Sequence, residues 1–148
     1  MSETNDYKYS LERFKDAQRT SYSEALTEIR NGKKETHWLL FVFPQLRGLG
    51  YSYASEFYGL DGLDEAKDFL ADPYLADNLI KISNELLNLS ESNICRIMPH
   101  PDNLKLCSSI TLFYHAAEDE RKEVFKAILD KYYSGRTCRR TEKLLEGE

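Results

Sequence analysis

Residues 37–50 read HWLLFVFPQLRGLG, and the fold turns on whether this run is a strand or a helix. Its aromatic and β-branched residues suit a strand. It would be a lone strand, however, with no partner segment elsewhere in the chain. The expected element is therefore a short helix from His37 to Phe43, capped by Thr36 and ended by Pro44.

The sequence on both sides supports a helical reading. Upstream, Ser10 can open a helix whose inner face is Leu11, Phe14, Ala17 and Gln18. Ser21 and Glu24 have the spacing of a capping box, and the helix they open carries Ala25, Leu26 and Ile29 before Gly32 stops it. Downstream, Ser52 opens a short helix that ends at Gly59, and Asp61–Gly62 is a turn pair. Asp64 begins a helix with Ala66, Phe69 and Leu70 inside. Asp72 and Pro73 form an N-cap followed by a first-turn proline. Leu75, Leu79, Ile82, Leu86 and Leu89 then recur at alternating intervals of four and three, an unbroken helical stripe.

Ser92 caps a short helix through Ile97, and Pro99-His100-Pro101 breaks it. Asp102 opens a helix with the stripe Leu106, Ile110, Phe113 and Ala117. Glu118–Tyr133 places Val124, Phe125, Ile128, Leu129 and Tyr132 inward, Gly135 stops it, and a last short helix holds Leu144 and Leu145. The pattern predicts an all-α chain: a single compact orthogonal multi-helix domain of about eight helices over residues 1–148, with frayed tails at 1–9 and 146–148.

The chain of 148 residues is 41% hydrophobic and 30% charged, ordinary for a globular domain and too apolar for a disordered one. A net charge of −5 argues against binding to nucleic acid, which needs a cationic surface. Two basic clusters, Arg30/Lys33/Lys34 and Arg136/Arg139/Arg140/Lys143, read first as solvated faces. No apolar run approaches the roughly 20 residues that cross a bilayer, and the start MSETNDYKYS has no signal-peptide core. Cys95, Cys107 and Cys138 are odd in number and widely spaced, as suits a reducing cytoplasm.

Phosphate-loop, HExxH, GxSxG and GxGxxG motifs are absent. With three His and no clustered Cys, neither a metal site nor a cofactor is expected.

The positive signal is a polar set in an apolar frame. Trp38, Leu39, Phe41 and Phe43 read mainly as core. His37 precedes them and Gln45 and Arg47 follow. Gly48 and Gly50 permit unusual backbone angles before Ser52 starts a helix, an arrangement able to aim N–H groups at an anion. The second candidate is DNLKLCSSIT (102–111), where Lys105 and Ser109 share a helical face and Ser108 and Thr111 lie on a neighbouring edge.

These residues also carry a resemblance. LERFKDAQ (11–18), ALTEIRNGKKETHWLLFVFPQLRGLG (25–50), LDEAKDFLADPYLADNL (63–79), DNLKLCSSITLF (102–113) and VFKAILDKYYSGRTCRRTEKLL (124–145) resemble the bacterial family called domain of unknown function 1810. Signature positions of the family fall on His37, Trp38, Phe41, Phe43, Pro44, Gln45, Gly48, Gly50, Tyr58, Lys105, Ser108 and Thr111. Leu40, Cys107 and Cys138 depart from its pattern. The resemblance implies an all-helical fold and supplies no established activity. Some members carry the label calpastatin, but nothing here is similar to an unstructured inhibitor repeat. Over one helix only, Phe14, Ala17 and Gln18 resemble the NADAR superfamily, helical domains that act on N-glycosidic bonds of ribosylated nucleotides or ADP-ribosyl adducts.

The functional expectation is a pocket between residues 37–52 and the 102–111 helix that takes a small anionic, nucleotide-like ligand. Arg47 and Lys105 would neutralise charge. Gln45, Ser108 and Ser109 would orient the ligand, and Trp38 or Tyr58 would stack on it. His37 is the acid/base candidate. Gly48, Gly50 and Ser52 would shape the site. Whether it catalyses is left open. The alternatives are a protein–protein interaction module without a ligand and a NADAR-like N-glycosidase. A cytoplasmic monomer or weak homodimer is expected.

Overall fold

A computed structural model describes residues 7–148, and within them the protein is all-α. Nine helices occur among the described residues: α1 Glu12–Arg30, α2 Leu39–Val42, α3 Tyr53–Phe57, α4 Leu63–Ala71, α5 Pro73–Asn88, α6 Ile94–Ile97, α7 Asp102–Ala116, α8 Lys122–Tyr133 and α9 Arg139–Glu146. One isolated parallel bridge, Leu46 to Leu60, is the β-pairing present. Part of the expected N-terminal tail, residues 1–6, lies outside the described residues.

Several local signals act as expected. Ser52 accepts the Ser55 N–H at 3.1 Å and caps α3. Asp72 accepts the Leu75 N–H at 3.1 Å, with Pro73 in the first turn of α5. After α8, Ser134 and Gly135 turn left-handed (φ 56° and 76°), and the Gly135 N–H returns to the Leu129 carbonyl at 2.9 Å.

Other signals give way to their surroundings. The Ser21–Glu24 box opens no helix, because α1 runs unbroken through it. No Gly or Pro interrupts residues 12–30, and Phe14, Gln18, Tyr22, Ala25 and Ile29 form one continuous inward stripe. The helix expected over 37–43 contracts to Leu39–Val42, and Trp38 occupies its N-cap position. Thr36 does not cap it, because its hydroxyl donates to Glu28 Oε2 at 2.6 Å. Asn93, not Ser92, caps α6. The helix expected from Glu118 begins only at Lys122. Within the C-terminal tail expected to fray, Glu146 is helical and Glu148 accepts the Leu63 N–H at 2.9 Å.

Helix α7 is the hub, in contact with α2, α4, α8 and α9, while α1 and α8 flank α5. Its buried set (Leu106, Ser108, Ser109, Ile110, Thr111, Leu112, Phe113 and Ala116) covers most of its circumference, as a helix enclosed by neighbours requires. A file of four rings runs through the core. Phe14 of α1 meets Phe69 of α4 at 5.4 Å, Phe69 meets Phe113 of α7 at 5.2 Å, and Phe113 meets Phe125 of α8 at 5.8 Å between centroids.

Buried Arg13 fixes the end of α3. It donates to the carbonyls of Phe57 (2.7 Å), Gly59 (2.9 Å) and Ser10 (2.6 Å), with Glu65 3.5 Å away. Burial lowers its pKa despite Glu65. Gln18 plays a similar part: it donates to the Phe41 carbonyl at 2.7 Å and accepts from Asn78 at 3.0 Å.

Candidate functional site

The segment after α1 is organised around one carboxylate. Glu28 is buried and accepts four donors: the Glu35 N–H at 2.7 Å, the Thr36 N–H at 3.0 Å, the Thr36 hydroxyl at 2.6 Å and the Trp38 indole at 2.9 Å. Burial pushes its pKa up, but the donors prevail and hold it down at about 2. This knot places Trp38 at the base of a cleft.

The cleft has a volume of about 400 Å³, within the roughly 300–1,000 Å³ typical of small-molecule sites. Its walls come from three stretches: Lys34 and His37–Phe41 on one side, Ser52, Ala54 and Tyr58 on another, and Asp102 and Lys105 of α7 on the third. Phe41 and Tyr58 are half-buried there, their rings 5.4 Å apart and tilted by 54°. Lys34 is 9% exposed. Its ammonium donates to the Thr36 carbonyl at 2.6 Å, pairs with Asp102 at 2.8 Å and lies 5.1 Å from the centre of the Trp38 ring. Asp102 is thereby neutralised. Lys105 has no ion-pair partner among the described residues, so the cleft carries an excess of positive charge.

A smaller chamber of about 210 Å³ adjoins the cleft at Lys105, which lines both. Gln45, Leu49, Gly50, Pro101, Leu104, Ser108 and Arg140 form its remaining walls. Gln45 is 4% exposed. Gly50 is needed here for space, because a Cβ would come within 2.5 Å of Ser55 Oγ.

His37, Trp38, Ser52, Tyr58 and Lys105 thus share one cleft, and Gln45, Gly50 and Ser108 line the chamber beside it. Trp38, at 1% exposure, is floor and not a free stacking surface. Three expected site residues lie elsewhere. Arg47 donates to the Glu56 carbonyl at 2.9 Å and to Asp61 Oδ1, and lines a separate hollow with Asp61, Gly62 and Glu148. Arg47 lines neither the cleft nor the chamber beside it. Gly48 supplies a turn at φ 104° with open space around it. Ser109 is wholly buried on the core side of α7.

Lys34, Phe41, Asp102 and Arg140 line these hollows without a clear sequence signal for it. Lys34 and Arg140 sit in basic clusters that read as solvent-facing, Phe41 reads as core, and Asp102 reads as a cap. The pair Lys34–Asp102 joins residues nearly half the chain apart and has no local signature.

Ser108 also contacts a thiol. Its hydroxyl lies 3.2 Å from Cys138 Sγ, and the Cys138 N–H donates to Thr111 at 2.8 Å. Burial raises the Cys138 pKa, but Ser108, Thr141 and the first N–H groups of α9 outweigh it and the net shift is downward. Cys107 is pushed up to about 11, mainly by burial. No group of three His, Cys, Asp or Glu arranged to hold a metal occurs among the described residues.

Fold and site define an all-helical protein with a cationic, aromatic-walled cleft at one end of its central helix. The chain belongs to the family described as protein of unknown function (DUF1810), whose profile matches residues 8–145. It is similar to the conserved hypothetical protein Rv1873 from Mycobacterium tuberculosis, known from a crystal structure at 1.38 Å. Identity is 41%, over 93% of this chain and 97% of that one, with a TM-score of 0.89. No curated protein matches the chain. No helix among the described residues is long and apolar enough to cross a membrane.

Proposed function

We propose that this protein binds a small anionic ligand in the cleft between residues 34–58 and the start of α7. One observation carries the reading: Lys105 stands without a carboxylate partner on a wall whose only acid, Asp102, is already paired with Lys34. An unpaired ammonium beside half-buried aromatic faces is suited to a ligand that joins negative charge to an apolar body. His37, exposed at the rim, supplies the imidazole that suits acid/base work. Cleavage of an N-glycosidic bond would need a free carboxylate at the reacting carbon, and the Lys34–Asp102 pair argues against one here.

The test is a thermal-shift screen with nucleotides and ADP-ribose against wild type, K105M and R47A. Wild type should be stabilised by at least one anionic member, and K105M should lose that shift. R47A should melt several degrees lower yet keep it, because Arg47 ties down residues 47–61. Loss of the shift in R47A alone, with K105M responding normally, would sink the assignment.

A second reading, a protein partner at the same rim, is favoured by Tyr51 and Tyr53, which are 92% and 82% exposed.

A further inference from the structure

The smaller chamber is lined by two cations, Lys105 and Arg140, and by no carboxylate. The larger cleft holds the opposite balance of surfaces. Phe41, Tyr58, Leu39 and Leu40 are apolar, and two of its charges, Lys34 and Asp102, cancel at 2.8 Å. At about 210 Å³ the chamber is too small to be a site by itself, yet it opens beside a cleft of ligand size. It is also built to receive something polar. Gln45 is more than nine-tenths buried, and its side-chain nitrogen lies beside Gly50 at the chamber wall. The Ser108 hydroxyl is spent on the Leu104 carbonyl at 3.1 Å and on Cys138, so Ser108 shapes the wall. Arg140 reaches across from α9, its Nη2 donating to the Leu49 carbonyl at 3.1 Å. A guanidinium held there by one N–H keeps further donors for an anion.

We infer that the ligand is bipartite: a phosphate-class anionic head held by Lys105, Arg140 and Gln45 in the small chamber, and a flat aromatic body against Phe41 and Tyr58 in the cleft. The inference rests on the reading of the cleft as a ligand site and adds the orientation and class of the ligand. It also transfers the guanidinium role from Arg47 to Arg140, a residue contributed by the last helix.

The experiment is a titration of the 15N-labelled chain with three probes: inorganic phosphate, adenosine and adenosine 5′-monophosphate. Phosphate should move the amides of Gly50 and Lys105. Adenosine should move those of Phe41 and Tyr58. The monophosphate should move both sets and bind more tightly than either part. R140Q should weaken phosphate and monophosphate by about tenfold or more, the worth of a hydrogen bond to a charged group, and leave adenosine unchanged. R140K should recover part of the loss.

If monophosphate moves the cleft amides but R140Q binds it as wild type does, the head-group assignment is overturned while the cleft reading stands. If neither adenosine nor monophosphate moves the cleft amides, both fall. Phosphate shifts centred on Arg47 and Asp61 would also overturn the assignment.

Discussion

At the scale of single residues, Glu28 is the most consequential side chain that touches no part of the open cleft surface. It holds Thr36 and the Trp38 indole, and through them the wall that carries His37. Because its pKa is depressed to about 2 from an ordinary 4.5, its contribution is present above the ordinary carboxylate pKa. It is lost as pH falls from about 5 toward 2. Glu28→Gln replaces one acceptor oxygen by a donor that faces N–H and O–H groups. The variant should be less stable than wild type by about 2–3 kcal/mol at pH 7, with the gap closing in urea titrations at pH 3. An equal gap at both values would mean that the carboxylate charge is not what binds the segment. None of this was legible in the sequence, where Glu28 is one of many charged residues on α1. By contrast, His37, Trp38, Tyr58 and Lys105 are expected from the sequence to share a pocket, and they do line one cleft. Arg47 looked equivalent, and only the position of Asp61 across a turn reveals its pairing.

At the scale of elements, helix ends are tied by long-range partners as well as local caps. Arg121 donates to the Leu70 carbonyl at 2.8 Å at the end of α4, and Lys122 to the Tyr114 carbonyl at 2.7 Å near the end of α7. Lys131 reaches the carbonyls of Leu86, Leu87 and Leu89 where α5 finishes. The basic side chains of one segment thus satisfy three sets of orphan carbonyls. Local reading places the ends at Ile97 and Tyr133 where the helices do stop, and misplaces the starts at Thr36, Ser92 and Glu118.

Asp72 is a start that reads correctly, and it does two jobs: it caps α5 and pairs with Lys15 of α1 at 2.5 Å. Burial raises its pKa, but Lys15 and the Leu75 N–H outweigh that and lower it. Asp72→Ala should cost about 1–2 kcal/mol, the sum of a cap and a partly screened ion pair. Asp72→Asn, which keeps the cap, should cost less. Urea midpoints of the two variants decide it, and equal losses would show that the ion pair and not the cap is what matters. The merging of two expected helices into α1 teaches the complementary lesson. A capping-box spacing acts only where the chain has a reason to stop, and a continuous inward stripe from Phe14 to Ile29 removes that reason.

At the scale of the molecule, the apolar stripes were enough to anticipate an all-helical core. The route by which distant segments share a site was not. The bridge between Leu46 and Leu60 shows what that route entails. The Arg47 N–H donates to the Leu60 carbonyl at 2.9 Å, and the Leu60 N–H donates to the Gln45 carbonyl at 3.0 Å. Between these two bonds lie Ser52, Ala54 and Tyr58, one whole wall of the cleft. The bridge is a clasp on a purse: while it is shut the wall stands, and when it springs open the wall swings away with its tyrosine. The amides of Arg47 and Leu60 should therefore exchange with deuterium at a single shared rate, slowed together when a ligand fills the cleft. Two unrelated rates would mean that the wall does not open as one piece. The smallest β-pairing in an otherwise helical protein would then set how often its interior meets the solvent.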